Sequence, residues 1–363
     1  MLSNEVGHKG VRNVRAVIYG GIGSITVEDR PMPVPGPRDV VVKNMRAGIC
    51  GTDIGAYQRG GDDVGIFPGN QIGHEFCSVV HDVGSEVSDE RIKPGLRVWI
   101  NPVNSGVVTE ERSAVEVADS AGGLTQYVVI DNAAIDFNLF PLPDNVTWDQ
   151  GALVEPFSVA NHGVNMGAPK PGQRAIVFGA GAIGMGVLCN LRANGVTDIL
   201  VTDIVQNRLA VVEQLGGIPV NSKETDVIEL ALEKFGGTAD IYGNLRPNVD
   251  LYFDAAGIPS AYADYVRGSN GAARMIVLAL SGNTIEIPQA AIVLSGLSIE
   301  GSMAYTPEDN NQVIRYLAEG RYDPTPVISH HFAQEDAAAA FETAVNHKDL
   351  AMKVLIDVYP SEG

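Results

Sequence analysis

Apolar positions follow one another along this chain in two different rhythms. From Arg15 to about Lys93 they form short runs broken by Gly and Pro: RAVIYGG, SITVEDRPMPVPGP, DVVVKNMRAGIC and HEFCSVVHDVG. Short β-branched runs between turn residues predict strands, and no helix of any length is evident there. LRVWINP follows the Pro94-Gly95 turn, and LTQYVVID alternates like a further strand. Between them residues 103–123 show no periodicity and read as an exposed loop. After Asp149 the spacing becomes helical in GALVEPFSVANHGVNMGA, where we place the domain junction.

From Arg174 onward apolar runs alternate with amphipathic stretches. AIVFG, DILVTD, IPVN, VDLYFDAAG, ARMIVLALSG and LSIEGSM predict six strands, with QNRLAVVEQLG and TDVIELALEKFG as helices between them. That alternation predicts an α/β doubly wound parallel sheet. TADIYGNLRPN, before Val249, reads as a surface loop. Thr306-Pro-Glu-Asp supplies a cap, a Pro and an acidic first turn for a helix over 307–319, with Gly320 at its end. KVLIDV near the end returns to strand character and is expected to rejoin the first domain.

The first strand of the second half runs into Gly179-Ala180-Gly181-Ala182-Ile183-Gly184, a G-x-G-x-x-G turn at the mouth of a helix. Gly179 permits the tight turn, Gly181 lets backbone approach a pyrophosphate, and Gly184 lets helix and strand pack closely. The phosphates then meet the helix N-terminus. Asp203 ends the next strand, 19 residues past Gly184, where its carboxylate can accept from both adenosine ribose hydroxyls and repel a 2′-phosphate. NAD rather than NADP is therefore expected, bound by Gly179, Gly181, Ala182, Ile183, Gly184, Asp203 and Arg208.

The length of 363 residues suits about two domains, and 41 glycines suit a loop-rich α/β enzyme. A net charge of −19 opposes nucleic acid and anionic lipid as partners. The longest uncharged stretch, about 17 residues after Arg174, is too short to span a bilayer. The N-terminal residues show no apolar signal core, so a cytoplasmic protein is expected. Three cysteines, Cys50, Cys77 and Cys189, do not make a disulfide framework.

Three polar positions in the first half could converge on a metal: Cys50 in GICGTD, His74 in GHE and Glu155 in LVEP. A thiolate, an imidazole and a carboxylate give zinc three ligands and leave a fourth position open, as catalytic sites do. Spacing alone leaves a second reading, in which Cys50 is a small buried hydrophobe.

GICGTD, GHEF, the EP…H segment and GAGAIG, in this order and spacing, resemble the zinc-dependent branch of the medium-chain dehydrogenase/reductase family over nearly the whole chain. The resemblance implies a β-rich GroES-like catalytic domain over 1–160, rejoined by 304–363, and a Rossmann NAD-binding domain over 161–303. It implies Cys50, His74 and Glu155 as ligands of one catalytic zinc. Glu75 is then either an alternate ligand or a buried carboxylate supporting the site. Thr52 takes the hydroxyl proton toward the cofactor ribose, and Asp53 is a structural acceptor. Family members with a structural zinc carry four cysteines where 103–123 has none, so no second zinc is expected. Gly55 stands where many relatives have a histidine.

Glu at 155 resembles the polyol and butanediol dehydrogenases, and Ala304, where sorbitol dehydrogenases carry an arginine, favours a vicinal diol over a long polyol. The expected reaction is NAD-dependent oxidation of a small secondary alcohol to a ketone, by a homo-oligomer, tetramer or dimer. A threonine dehydrogenase-like enzyme is the rival within the class. A non-catalytic NAD-binding sensor and a zinc-free reductase of activated alkenes are the rivals outside it. Cys77 and Cys189 are assigned to packing, His8, His81, His330 and His331 to surface or packing, and His162 to support of the metal site.

Overall fold

The computed structural model describes residues 13–102, 122–347 and 349–359, so nearly all of the aperiodic segment 103–123, and His8, lie outside the described residues. Two larger sheets carry the fold. The first runs Ile328–Ala333, Lys353–Asp357, Val40–Gly48, Glu75–Val83, Arg97–Ile100 and Leu139–Pro141, with Tyr127–Ile130 paired beside Val40–Gly48. Its strands are antiparallel except for the parallel pair Ile328–Ala333 and Lys353–Asp357. Lys353–Asp357 pairs with Arg46–Gly48, so the late strand KVLID lies inside a sheet built mainly from the first 141 residues, second from its edge.

The second sheet is parallel throughout, in the order Ile218–Asn221, Asp198–Asp203, Arg174–Phe178, Leu251–Asp254, Arg274–Val277 and Ser298–Gly301. These are the six strands read from the sequence. Central strands covered by helices on both faces must be apolar on both, and Leu251–Asp254 is buried at every position. The chain reverses direction across the sheet between Arg174–Phe178 and Leu251–Asp254, and ligands of such sheets bind outside the carboxyl ends of the strands at that point.

The helix Val154–Gly167 joins the two sheets. One apolar cluster runs from Trp99 and Phe140 of the first sheet through Phe157, Ala160 and Val164 to Val177 and Phe253 of the second. Thr306 caps the helix Pro307–Ala318 with a reciprocal box to Asp309, close to the expected bounds.

Two local readings are corrected. The helix Gly51–Arg59 lies where no helix was evident, because Gly51 and Gly55 weaken its propensity and its start depends on a Cys50–Asp53 capping box. TADIYGNLRPN is not a loop but a hairpin of Gly237–Ala239 and Leu245–Pro247. Its turn is made by Asp240 Oδ1, which accepts from the Tyr242 and Asn244 amides at 2.9 Å each, a local closure that hydrophobic periodicity does not report.

Candidate active site

Strand Val40–Gly48 delivers Cys50 to the N-terminus of the helix Gly51–Arg59. The Thr52 amide donates to Cys50 Sγ at 3.5 Å, and the Cys50 amide donates to Asp53 Oδ2 at 2.9 Å. The positive end of the helix thus faces the sulfur. The other oxygen of Asp53, fully buried, stands 3.6 Å from His74 Nδ1, at ion-pair distance from the ring. Glu75 opens the neighbouring strand opposite Gly48. A β-carbon at Gly48 would lie 2.3 Å from Glu75 Oε2, so only glycine leaves this carboxylate its room. Ligand atoms of Cys50, His74 and Glu75 all lie within 4.8 Å of one another.

Glu155, in the first turn of Val154–Gly167, is buried beside this group but outside that tight set. Burial, then the nearby Glu75 charge, push its pKa up to about 7, against the pull of His74 and Lys353. The Tyr305 hydroxyl is buried without a hydrogen bond, and of the neighbouring charged groups Glu155 acts on it most strongly. Burial works against a charge on His74, but Cys50 and Asp53 outweigh it and hold the imidazole well above its ordinary range. Lys353 Nζ donates to Glu75 Oε1 at 2.8 Å, to Oε2 at 2.5 Å and to the Ile49 carbonyl at 3.3 Å. Three carboxyl groups, Asp53, Glu75 and Glu155, and the Cys50 thiol therefore surround one imidazole and one ammonium. The residues fit a divalent cation, which would offset that excess, and a sulfur, nitrogen and oxygen donor set suits zinc.

The glycine turn has a tight local geometry. Gly179 has φ +95°, and a β-carbon on Gly184 would lie 1.8 Å from the Gly179 carbonyl oxygen. A β-carbon on Gly181 meets nothing within 4 Å, which leaves open the approach a pyrophosphate would use. The helix Ala182–Ala193 starts there, with Ala182 and Ile183 as its first residues. Asp203 Oδ2 accepts from the Ala180 amide at 2.9 Å and Oδ1 from Ile204 and Val205 at 2.7 and 3.0 Å. Arg208 stands 3.8 Å from Asp203.

Other residues fall away from the site. Cys77 and Cys189 are buried, and burial pushes both thiols up to about 12, so they pack and do not react. His162 lies outside the Cys50 group, with Nδ1 on Asp309 Oδ2 at 2.8 Å. His81 packs edge-on against Tyr127, and His331 sits between Asp357 and Asp149. Lys353 escaped sequence reasoning. Its signal is a lone cation opening an apolar strand, and its partner is 278 residues away.

The chain matches the alcohol dehydrogenase GroES-like domain over residues 36–144 and the zinc-binding dehydrogenase domain over residues 182–319, together more than half its length. It belongs to the zinc-dependent medium-chain dehydrogenase/reductase family. Within that family it is 28% identical to sorbitol dehydrogenase 2 of Saccharomyces cerevisiae, over 94% of this chain and 97% of that one. It also superposes on 2R,3R-butanediol dehydrogenase of Bacillus subtilis with a TM-score of 0.82 at 26% identity, over 95% and 99% of the two chains. An Escherichia coli alcohol dehydrogenase solved with NADH has a TM-score of 0.80 at 26% identity, over 95% and 99%.

Proposed function

We propose that the chain oxidises a small secondary alcohol, a vicinal diol or polyol, to the ketone, with NAD as hydride acceptor and one zinc per chain. The observation that carries this is the convergence of Cys50, His74 and Glu75 within 4.8 Å, with Glu155 buried beside them. End-to-end likeness to sorbitol and butanediol dehydrogenases supports the substrate class. Cys50, His74 and Glu155 would hold the ion, and Glu75, held by Lys353, is the supporting or alternate carboxylate. Bound there, zinc would lower the pKa of a substrate hydroxyl, and the nicotinamide would accept the hydride. Thr52, two residues past Cys50, would pass the hydroxyl proton toward the cofactor ribose, and Asp53 would keep the His74 ring aimed. Ala304 leaves no cation before Tyr305, which favours a diol. The test is a panel of diols, polyols and threonine with NAD, alongside metal analysis. One zinc per chain with diol turnover supports the reading, and preferential turnover of threonine or two tightly held zincs would overturn it.

A cytoplasmic protein is consistent with three free cysteines, one of them a ligand. No helix among the described residues is long and apolar enough to cross a membrane. Association with further copies is supported by the edge strand Ser298–Gly301, beside which Val293 is 72% and Met303 87% exposed.

The pinned carboxylate of Asp203 supports NAD over NADP. Asp203→Ser should raise the NADP-to-NAD ratio of kcat/KM by roughly ten- to a hundredfold, since a like-charge contact near the surface is worth a few kcal/mol. Comparable use of both cofactors by the parent would remove Asp203 from this role.

Gly55 tests the proton route. It is helical with negative φ, and a β-carbon there meets only the end of the Arg59 side chain, at 3.0 Å. With no histidine at this place, oxidation should be fastest at alkaline pH and show no inflection from this step. Gly55→His should raise kcat near pH 7 and add an inflection near the ordinary histidine pKa of about 6.5. Superimposable pH profiles, with a deuterated substrate showing chemistry to be rate-limiting, would mean the proton leaves elsewhere.

A further inference from the structure

The helix Val154–Gly167 carries a polar stripe at Glu155, Ser158, His162 and Asn165, spaced three, four and three residues apart and therefore on one face. Only Glu155 has a role in the chemistry so far. The partner of the stripe is the segment entering the helix Pro307–Ala318, and at its centre is Asp309, 3% exposed. Its Oδ2 accepts from the Thr306 amide at 2.9 Å, from Thr306 Oγ1 at 2.9 Å and, on the facing helix, meets His162 Nδ1 at 2.8 Å. Its Oδ1 accepts from Asn165 Nδ2 at 2.7 Å and Asn161 Nδ2 at 3.4 Å. Three of these five partners lie on the helix that carries Glu155 in its first turn. The other two cap the helix that begins just after Tyr305.

A helix cap needs one acceptor, not a buried carboxylate shared by two helices. What the sharing fixes is register. Tyr305 is four residues before Asp309, and its backbone is turned by Ala304 at φ +53°, in the left-handed region that alanine avoids and that surrounding contacts must hold. The Tyr305 hydroxyl is buried with no hydrogen bond of its own, and Glu155 is the charged group that acts on it most strongly. Both ends of that contact are thus set by groups bound to one carboxylate.

We propose that Asp309 is a positioning residue for the metal site: it clamps the Tyr305 segment onto the helix of Glu155 and so holds the Tyr305 hydroxyl against the Glu155 carboxylate. This rests on the reading of Glu155 as a zinc ligand. Loss of Asp309 loosens the aim of Glu155 by the same route as loss of the Tyr305 hydroxyl, so the two losses are not independent.

The test is a double-mutant cycle on metal affinity, with no coenzyme or substrate present. Zinc dissociation constants are measured by chelator competition for the parent, Asp309→Asn, Tyr305→Phe and the double variant, and visible spectra are recorded with cobalt in place of zinc. Each single variant should bind zinc about tenfold more weakly, the lower end for groups that orient a ligand. The double variant should be no weaker than the poorer single, and both singles should move the cobalt bands alike. Independent, multiplied losses would overturn the clamp, as would an Asp309→Asn protein of lowered melting temperature whose zinc affinity stays within twofold of the parent. Should Asp309→Asn fail to fold, His162→Ala, which cuts one link between the helices and spares the Thr306 cap, takes its place with the same outcomes. Glu155→Ala is the control. If it leaves zinc affinity unchanged, the ligand assignment falls and the clamp with it; if it releases zinc while the Asp309 variant does not, the clamp alone falls.

Discussion

Cys50→Ala is expected to yield a folded protein that retains well under one zinc per chain and has lost at least about a thousandfold in kcat/KM. The magnitude follows from the several kcal/mol a Lewis acid contributes to a developing alkoxide, at 1.4 kcal/mol per tenfold. The fold should survive, because Cys50 contributes little to the apolar clusters beyond the helix start it caps, and Asp53 still accepts from the amide of residue 50. Metal analysis, circular dichroism and steady-state rates on one preparation decide the matter. Full zinc content, or activity within tenfold of the parent, would place the ion on other groups.

Lys353→Met should carry the largest cost in stability, about 3–5 kcal/mol, because it leaves the Glu75 carboxylate buried without its counter-charge. Lysine and glutamate side chains here are only 5% and 2% exposed. Adding Glu75→Gln should restore most of the loss, since removing both partners of a buried pair is often close to neutral. Burial alone would lower the Lys353 pKa, but Glu75 and Cys50 more than offset this and raise it. A raised pKa means the stabilisation is fully present below the unfolded value of about 10.4 and fades as pH climbs through the folded one. The gap in urea midpoint between parent and Lys353→Met should therefore stay constant through neutral pH and narrow only in strong alkali. A gap that closes below pH 9, or a double variant as unstable as the single, would mean that the pair is not what the substitution breaks.

The parallel sheet was legible because its strands announce themselves twice, by continuous apolar runs and by the helical spacing between them. The glycine turn was legible for a related reason: each glycine answers to a separate steric need, and Gly179 and Gly184 meet those needs against each other. The helix Gly51–Arg59 was not, since its stability lies in a cysteine cap that propensity does not count. Cys50, His74 and Glu155 could be named from motifs, yet the spacing could not show that Glu75 would join Cys50 and His74 more closely than Glu155 does. Lys353 and Asp309 were hidden for one reason. Each is an ordinary charged residue at the start of an ordinary element, and only its partners, 278 and 147 residues away, give it meaning.

The pairing of Lys353–Asp357 with Arg46–Gly48 also bears on how the protein is made. A ribosome adding roughly 5–20 residues per second needs on the order of 15–60 seconds to pass from one strand to the other. Throughout that interval the nascent first domain has Cys50, His74 and Glu75 but neither the strand that covers the free edge of Val40–Gly48 nor the ammonium that neutralises Glu75. The parallel domain, whose strands follow one another within residues 174–301, can close first and hold the chain while the earlier domain waits. Metal loading then becomes a late event in biogenesis, and a nascent chain stalled before Lys353 would offer chaperones an open sheet edge beside a Glu75 carboxylate without its counter-charge.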